Sequence, residues 1–180
     1  MLDTQFDVPA RIVPRRGRGY ERDRKSGGLL NAQQENVSYK YAGGGIISTD
    51  EDMVHLGHAL NSGRLLKAQT LRELYRPQLA ADIQYPPAAR QRAEEAKRPV
   101  PKPPRQALIV RINDDGRGGV YSQHGGSVKG SLSQYSNFSR DGIVVALHAN
   151  AWVDIDLQEA AETLAKLALG DAGATNEKAK

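Results

Sequence analysis

The sequence predicts an α+β domain in which an antiparallel sheet is packed against helices. Two stretches in the first half and one at the end have apolar residues at the helical spacing of three and four, whereas the third quarter has short runs of period two. Only short Gly- and Asp-containing turns separate these runs, and strands joined so closely pair antiparallel. The 180 residues suffice for one domain, or for a piece of a larger one.

Charge and cysteine content exclude several classes of function. The net charge is +4, and the basic residues concentrate in 11–25 and 90–105, where they are mixed with acidic residues and do not line one helix face. We therefore predict no nucleic-acid interface. The absence of cysteine excludes disulfides, thiol catalysis and thiolate metal ligation, and neither a metal nor a cofactor is predicted.

No stretch of the chain resembles a signal peptide or a membrane span. The first residues lack the apolar run that a signal peptide needs, and no window approaches the ~20 apolar residues of a transmembrane helix. The chain is predicted to be soluble as written, with no membrane span, and its localisation stays open.

Two helices are predicted after an opening stretch, 1–40, of extended segments and turns. The first helix should begin near Ser48, because Ser48 and Glu51 have the spacing of a capping box. Its apolar stripe comprises Met53, Leu56, Gly57 and Leu60. The second helix should span 68–75 and end before Pro77.

A proline- and arginine-rich segment at 77–106 interrupts the domain and is predicted to be a surface excursion. After it, the predicted strands are 107–112, 120–123, 131–138 and 143–148, the last of them a buried strand because it is rich in Val and Ile. A final helix within 154–169, capped by Asp156 with Glu159, should pack across the sheet. The polar tail 170–180 is predicted to be disordered.

Three motifs that resemble functional sites have simpler structural explanations. His55 and His58 lack the glutamate of a zinc-protease helix and are predicted to be surface histidines. The glycines 43–45 lack the Lys-Ser or Lys-Thr of a phosphate loop, so they form a turn before the helix. Asp114 and Asp115 lie in a turn without the further oxygen ligands that calcium needs.

The glycine-rich segment that follows residue 123 is the strongest candidate for a site. It reads His124-Gly125-Gly126-Ser127-Val128-Lys129-Gly130, and glycines so placed allow another molecule to approach the backbone closely. Taken alone, the segment is better explained as a glycine-rich connection between strands, with an incidental histidine. The motifs before and after it in the sequence favour a functional role instead.

Four motifs in order resemble the C-terminal part of β-lactamase-related serine hydrolases, a family that includes class C β-lactamases, D-alanyl-D-alanine peptidases and esterases. The motifs are Tyr41-Ala42-Gly43-Gly44-Gly45-Ile46-Ile47-Ser48-Thr49-Asp50-Glu51-Asp52-Met53, Gly63-Arg64-Leu65-Leu66, His124-Gly125-Gly126 and Val144-Val145-Ala146-Leu147-His148-Ala149-Asn150. The resemblance implies that 1–169 is a partial domain of the β-lactamase/transpeptidase-like fold, with its N-terminal motifs absent.

The resemblance also implies roles for individual residues. In this family a Lys-Thr-Gly or His-x-Gly motif lies on a strand that faces the nucleophile. His124 would take the cationic or hydrogen-bonding position, Gly125 and Gly126 would let substrate lie along the strand, and the backbone N–H of Ser127 would be an oxyanion donor. Asn150 corresponds to a position where some relatives bind a substrate carboxylate, although an asparagine that ends a strand is the simpler interpretation.

The family's nucleophile motif is missing from the sequence. None of the serines is followed by Lys three positions later, as Ser-x-x-Lys requires. Tyr135-Ser136-Asn137 spells the Tyr-x-Asn motif, but after His124 rather than before it, so we interpret it as a coincidence on a strand, with Tyr135 packing or facing solvent. Residues 1–7 resemble an internal stretch of the family, Gly-Met-x-x-Thr, which lies beyond both motifs.

The chain is therefore expected to be a fragment, a split-gene product or a degenerate copy. Two functions remain open: part of an acyl-transfer serine hydrolase that is inactive alone, or a non-catalytic β-lactamase-like interaction module or pseudoenzyme. The expected partners are a small-molecule or peptide substrate of the intact protein, and either the missing N-terminal part or further copies of this chain.

Overall fold

A computed structural model describes residues 1–78, 95 and 105–170. The predicted excursion, except for its ends and Glu95, and the predicted disordered tail after Gly170 lie outside the described residues. Among the helices of the described part, none has the length and apolar character that crossing a bilayer requires. The elements are strands β1 Gln5–Phe6, β2 Tyr20–Arg22, β3 Leu29–Asn31, β4 Ile46–Ile47, β5 Arg105–Gln106, β6 Arg111–Asp114, β7 Val120–Val128, β8 Ser131–Phe138, β9 Ile143–Ala149 and β10 Ala151–Trp152, and helices α1 Asp50–Asn61, α2 Ala68–Tyr75 and α3 Leu157–Ala168.

The main sheet has five strands in the order β5-β6-β7-β8-β9, each antiparallel to its neighbour. This confirms the predicted α+β class. Two small sheets lie beside it. In one, β1 pairs with β4; in the other, β2 lies between β10 and β3. Strand β8 and helix α2 have the bounds that the sequence predicts.

Three of the predicted strands have different bounds, and the last of them, β9, ends one residue later than predicted, at Ala149. Residues 107–110 form the tight turn between β5 and β6, in which Ala107 N–H donates to Val110 O at 2.9 Å. The strand predicted at 107–112 therefore begins only at Arg111. Conversely, β7 continues to Val128, and the glycine-rich segment is strand rather than connection, because β8 pairs with it along this length.

Strand β9 is half-buried and lies at the edge of the sheet, so the prediction of a buried strand is wrong. Helix α1 packs on one face of β9 and α3 on the other. The Val- and Ile-rich sequence therefore reflects two covered faces. It does not indicate a second neighbouring strand among the described residues.

Helix α1 begins one residue later than the predicted capping box implies. Thr49 is the N-cap, and its Oγ1 accepts a hydrogen bond from Asp52 N–H at 3.2 Å. Ser48 instead hydrogen-bonds to Thr4 through the two hydroxyls, 2.8 Å apart. A serine and a threonine adjacent in sequence offer the same capping chemistry, and the long-range partner Thr4 decides between them.

The buried carboxylate of Asp52 anchors the chain start to α1. It accepts hydrogen bonds from Leu2 N–H at 3.0 Å, Asp3 N–H at 2.9 Å and the Thr4 hydroxyl at 2.7 Å. The hydrogen bond from Thr4 holds the pKa of Asp52 below its usual range. One residue thus connects the opening segment to the helix.

Helix α1 approaches the sheet at Gly57. A Cβ at this position would lie 2.7 Å from the Val144 methyls and 2.8 Å from the Tyr135 hydroxyl. One turn later, Asn61 and Asn137 exchange two amide hydrogen bonds of 2.9 Å. The close approach and this amide pair fix the helix over β8 and β9.

Helix α3 covers the opposite face through Ala161 and Ala165, which are almost completely buried. Its N-cap is Asp156, whose side chain accepts from Glu159 N–H at 3.0 Å, as the sequence predicts. Beneath the helix, the Tyr121 ring stacks on Phe138 at 4.5 Å between centroids.

A polar network connects α3 to β7. Tyr121 donates its hydroxyl proton to Glu162 and accepts from Gln158 Nε2 at 3.0 Å. Gln123 Nε2 donates to Gln158 Oε1 at 3.2 Å. Burial, followed by the hydrogen bond to Glu162, raises the pKa of Tyr121, and burial raises the pKa of Tyr135 on the other face.

Replacing Gly57 by alanine is expected to destabilise the protein by about 1 to 3 kcal/mol. The added methyl would press on Val144 and Tyr135, which outweighs the better helix propensity of alanine. Urea unfolding measures the difference. The matched control is Gly17→Ala, because a Cβ at Gly17 meets nothing within 4 Å. Equal stability of the two variants would contradict the close approach of α1.

The folded state is expected to lose stability above pH ~10, where an unfolded tyrosine ionises. Because the pKa values of Tyr121 and Tyr135 are raised on folding, the folded state keeps protons that the unfolded state releases. Their contribution is complete below that pH and is lost as the pH rises towards the folded pKa values. Urea midpoints across the alkaline range measure the slope.

Tyr121→Phe should reduce this alkaline slope, because one of the two proton-retaining groups is removed. The control is Tyr39→Phe, since Tyr39 is exposed. An unchanged slope in Tyr121→Phe would contradict the assigned cause.

Candidate functional site

The candidate site is the open edge of β7 from His124 to Val128. Strand β6 pairs only with residues 120–123 of β7, whereas β8 pairs with residues 122–128. Among the described residues, no strand pairs with the second half of β7 on the side of β6. Backbone N–H and C=O groups on such an edge can pair with an extended ligand.

His124 stands exposed on the face of the sheet that α1 covers in part. Its cross-strand partner is Tyr135, and directly opposite residues share a face of the sheet. Tyr135 is buried against α1 near Gly57, whereas His124 is open to solvent. The imidazole therefore lies beside the helix and remains accessible from solution.

Ser127 lies three residues along the same strand, so its side chain is on the opposite face from His124. The Ser127 hydroxyl and the His124 ring do not face one another. The role that the family resemblance implies for Ser127 rests on its backbone N–H, and it stays a prediction, as does the role of His124.

Gly125 and Gly126 are in tight contact with β8. A Cβ at Gly126 would lie 2.5 Å from Ser133 Oγ, and one at Gly125 would lie 3.1 Å from Gln134 Oε1. Gln134 is buried and hydrogen-bonded to Gln123 and Ser136, so it has little freedom to move away. The glycines therefore serve packing within the sheet as well as leaving the strand uncovered.

A cavity of about 500 Å³ adjoins the end of the open edge. It is lined by Gln33, Gln34, Glu35, Asn36, Ser127, Val128, Lys129 and Trp152. The half-exposed Trp152 ring provides an apolar wall, and Lys129 Nζ lies 3.5 Å from Gln33 Oε1.

The sequence did not point to the cavity residues outside β7. Residues 33–36 follow β3 and are about 90 positions away from Ser127, too far apart for local spacing to connect them. The single tryptophan of the chain, two residues beyond Asn150, was the available signal. Tryptophan is enriched at interfaces, because its ring is apolar and its N–H can bind a polar partner.

Asn150 has a structural contact in addition to its predicted role. Its Nδ2 donates to Arg18 O at 3.4 Å, and its own carbonyl accepts from Tyr20 N–H at 2.8 Å. These bonds attach β2 to the end of β9. Binding of a substrate carboxylate by Asn150 remains a prediction.

The Tyr135-Ser136-Asn137 segment packs in the interior, which decides between the two alternatives for Tyr135, packing or facing solvent. Ser136 and Asn137 have no exposed surface, and Tyr135 is 8% exposed. The Tyr135 hydroxyl, like that of Tyr75, is buried without a hydrogen-bond partner in the described part of the chain. Tyr135 and Asn137 contact α1 at Gly57 and Asn61, whereas Ser136 lies on the other face of β8 and accepts from Gln134 Nε2.

Two further groups of polar side chains lie outside the β7 edge. Ser131 Oγ lies 3.0 Å from His148 Nε2 across the β8–β9 pair, within reach of proton transfer. His55 and His58 are exposed on α1, as predicted. Within the described ranges, no group of three or more His, Cys, Asp or Glu side chains is placed to hold a metal ion.

Comparison with known proteins gives a family match over nearly the whole chain. The family model described as Beta-lactamase matches residues 1–170. No curated protein sequence matches the chain.

Several solved structures are similar in fold. A D-stereospecific amidohydrolase from a Streptomyces species is 20% identical, with a TM-score of 0.65 over 92% of this chain and 43% of that chain. A D-amino acid amidase from Ochrobactrum anthropi SV3, complexed with L-phenylalanine amide, is 18% identical, with a TM-score of 0.68 over 95% and 48%. A penicillin binding protein from Bacillus halodurans is 16% identical, with a TM-score of 0.60 over 92% and 44%. The chain thus spans less than half the length of each.

Proposed function

Since this chain belongs to the β-lactamase family, we propose that it provides the substrate-binding edge of a serine hydrolase that acts by acyl-enzyme chemistry on an ester, an amide or a β-lactam. The observation that carries the proposal is the open edge of β7 at His124-Gly125-Gly126-Ser127, beside the 500 Å³ cavity. The amidases among the structural neighbours make amides and β-lactams the first substrates to test.

The open edge can position a carbonyl group in two ways. An extended substrate adds to β7 as a further strand, which fixes its direction through backbone hydrogen bonds. The backbone N–H of Ser127 then donates to the oxygen on which negative charge develops. One such donor is worth about 3 to 4 kcal/mol of barrier, because it needs no reorganisation during the reaction.

His124 is proposed to bind or polarise the substrate from the exposed face beside this edge. A histidine at this point can donate a hydrogen bond when neutral and adds a positive charge when protonated. Both states favour an anionic or carbonyl-bearing ligand over a cationic one. The hydrolysis itself also needs a nucleophile.

The sequence contains no Ser-x-x-Lys, and acyl-enzyme chemistry requires an activated serine together with its base. We propose that the nucleophile and its lysine come from polypeptide outside this sequence, and that the 180-residue chain is inactive alone. The missing motif favours one alternative: a non-catalytic β-lactamase-like interaction module or pseudoenzyme.

The isolated chain should not hydrolyse p-nitrophenyl acetate or nitrocefin above background, and a fluorophosphonate probe should label none of its serines. The hydrogen bond between Ser131 and His148 is the contact that could activate a serine within this chain and so contradict the prediction. Ser131→Ala is therefore the informative variant. Labelling that disappears in Ser131→Ala would show that the chain supplies its own nucleophile. Turnover that is abolished by His124→Ala would show that the β7 edge is part of a complete active site in this chain.

Ligand binding separates the hydrolase proposal from the interaction module. Trp152 is the only tryptophan and lines the cavity, so its fluorescence should change saturably with ampicillin or D-phenylalanine amide. His124→Ala should weaken this binding about tenfold, the loss of one hydrogen bond to the ligand. His58→Ala is the matched control, an exposed histidine on α1. No saturable change with either ligand would favour the interaction module.

A further inference from the structure

The cavity beside Ser127 contains one lysine without a carboxylate partner in the described part of the chain. Lys129 lines this cavity, and its Nζ lies 3.5 Å from the amide oxygen Oε1 of Gln33. An amide oxygen can accept a hydrogen bond from an ammonium group but does not neutralise its charge. The positive charge of Lys129 is therefore available to a ligand in the cavity.

The acidic side chain in the cavity wall is already paired. Of the described residues that line the cavity, Glu35 alone is acidic. Its Oε1 lies 3.4 Å from Lys40 Nζ, and this ion pair offsets the charge of Glu35. The cavity therefore has a positive charge next to the open edge of β7, and a cleft with one sign of charge attracts ligands of the opposite sign.

The turn that carries Lys129 is packed against the opposite wall of the cavity. Lys129 and Gly130 form the two-residue turn between β7 and β8. Gly130 has φ +71°, and a Cβ there would lie 2.5 Å from Ala32 Cβ and 2.8 Å from the carbonyl carbon of Gly19. Ala32 directly precedes the lining residues 33–36, and its N–H donates to Gly19 O at 2.9 Å. The backbone of Lys129 and the wall at 33–36 are thus held together by close contacts.

Lys129 is near enough to the proposed oxyanion donor to contact the same substrate. It lies two residues after Ser127, so the two positions are at most about 7 Å apart along the chain. The acyl side chain of an amide or a β-lactam can span such a length from the reacting carbonyl. Trp152, whose ring is half-exposed in the cavity wall, offers an apolar surface to the same side chain.

We propose that Lys129 selects substrates whose acyl side chain carries a carboxylate, and that Trp152 accommodates the apolar part of that side chain. This inference rests on the proposed function, because it requires the substrate carbonyl to bind at the β7 edge. A neutral acyl side chain gains no attraction from the ammonium group, and a cationic one is repelled. The preferred substrate class is therefore an amide or a β-lactam with an acidic acyl side chain.

Three penicillins that differ at one carbon atom test this charge preference. Carbenicillin, benzylpenicillin and ampicillin carry a carboxylate, a hydrogen and an amino group on the same carbon of a phenylacetyl side chain. At pH 6 these acyl side chains are anionic, neutral and cationic. Binding to the 180-residue chain is followed through the fluorescence of Trp152, its only tryptophan.

Carbenicillin should bind about fivefold more tightly than benzylpenicillin, and ampicillin should bind most weakly. Fivefold corresponds to the upper value for an ion pair that stays open to solvent. Because salt screens such a pair, the preference for carbenicillin should shrink as the salt concentration rises from 0.05 M towards about 1 M.

Substitution of Lys129 tests whether this residue is the source of the preference. Lys129→Gln should bring carbenicillin and benzylpenicillin to equal affinity, and Lys129→Glu should reverse the order, so that ampicillin binds most tightly. The matched control is Lys166→Gln, because Lys166 is exposed and lines a separate cavity with Asp114 and Tyr121 at the other end of β7. This control should keep the fivefold preference, with circular dichroism confirming that all three variants fold.

The possible failures are distinguishable. Saturable binding of all three penicillins with equal affinity would overturn the charge preference while leaving the proposed function intact. A preference for carbenicillin that persists in Lys129→Gln would overturn the role of Lys129 and assign the selectivity to another cation. No saturable binding of any of the three would contradict the proposed function and this inference together.

Discussion

The structure depends on the hydrogen bonding of polar side chains carried by β8 into the interior. Gln134, Ser136 and Asn137 are almost completely buried, and a buried polar group without a partner costs about 1 to 3 kcal/mol. Asn137 has its partner on α1, Gln134 has one on β7, and Ser136 accepts from Gln134 Nε2 within β8 itself. Because Asn137 exchanges two amide hydrogen bonds with Asn61, α1 cannot shift without leaving this buried amide unpaired.

The candidate site follows from the same central strand. Strand β8 pairs with residues 122–128 of β7, whereas the pairing of β6 with β7 stops at residue 123. The second half of β7 is therefore supported on one side and open on the other. A rigid strand with one free edge positions a ligand more accurately than a loop does. The glycines at 125 and 126 keep this edge uncovered and also allow β8 to approach. The absence of side chains at these two positions therefore explains both the tight packing on β8 and the access of a ligand to β7.

The sequence predicted elements whose signals are local and missed contacts that join distant segments. The bounds of α2 and β8 were predictable because Pro77 and the turns at Gly130 and Gly142 end them. The course of β7 through its glycines was not, because glycine breaks the alternation and the pairing with β8 determines the strand. Likewise, the burial of the Asp52 carboxylate depends on its hydrogen bonds to residues 2–4, and the cavity depends on residues 33–36, both distant in sequence from the groups they contact. The candidate residues at 124–127 came from the order of family motifs, not from local spacing.

Strand β8 and helix α3 together connect the candidate site to the rest of the sheet. Strand β8 pairs with β7 on one side and with β9 on the other. Helix α3 joins the same strands, because Glu162 and Gln158 hydrogen-bond to Tyr121 and Gln123 on β7 while the helix packs on β8 and β9. The second half of β7 carries an exposed histidine and adjoins a cavity, which suits a small extended ligand. A ligand on this edge would therefore contact a strand that both the sheet and a helix hold in place.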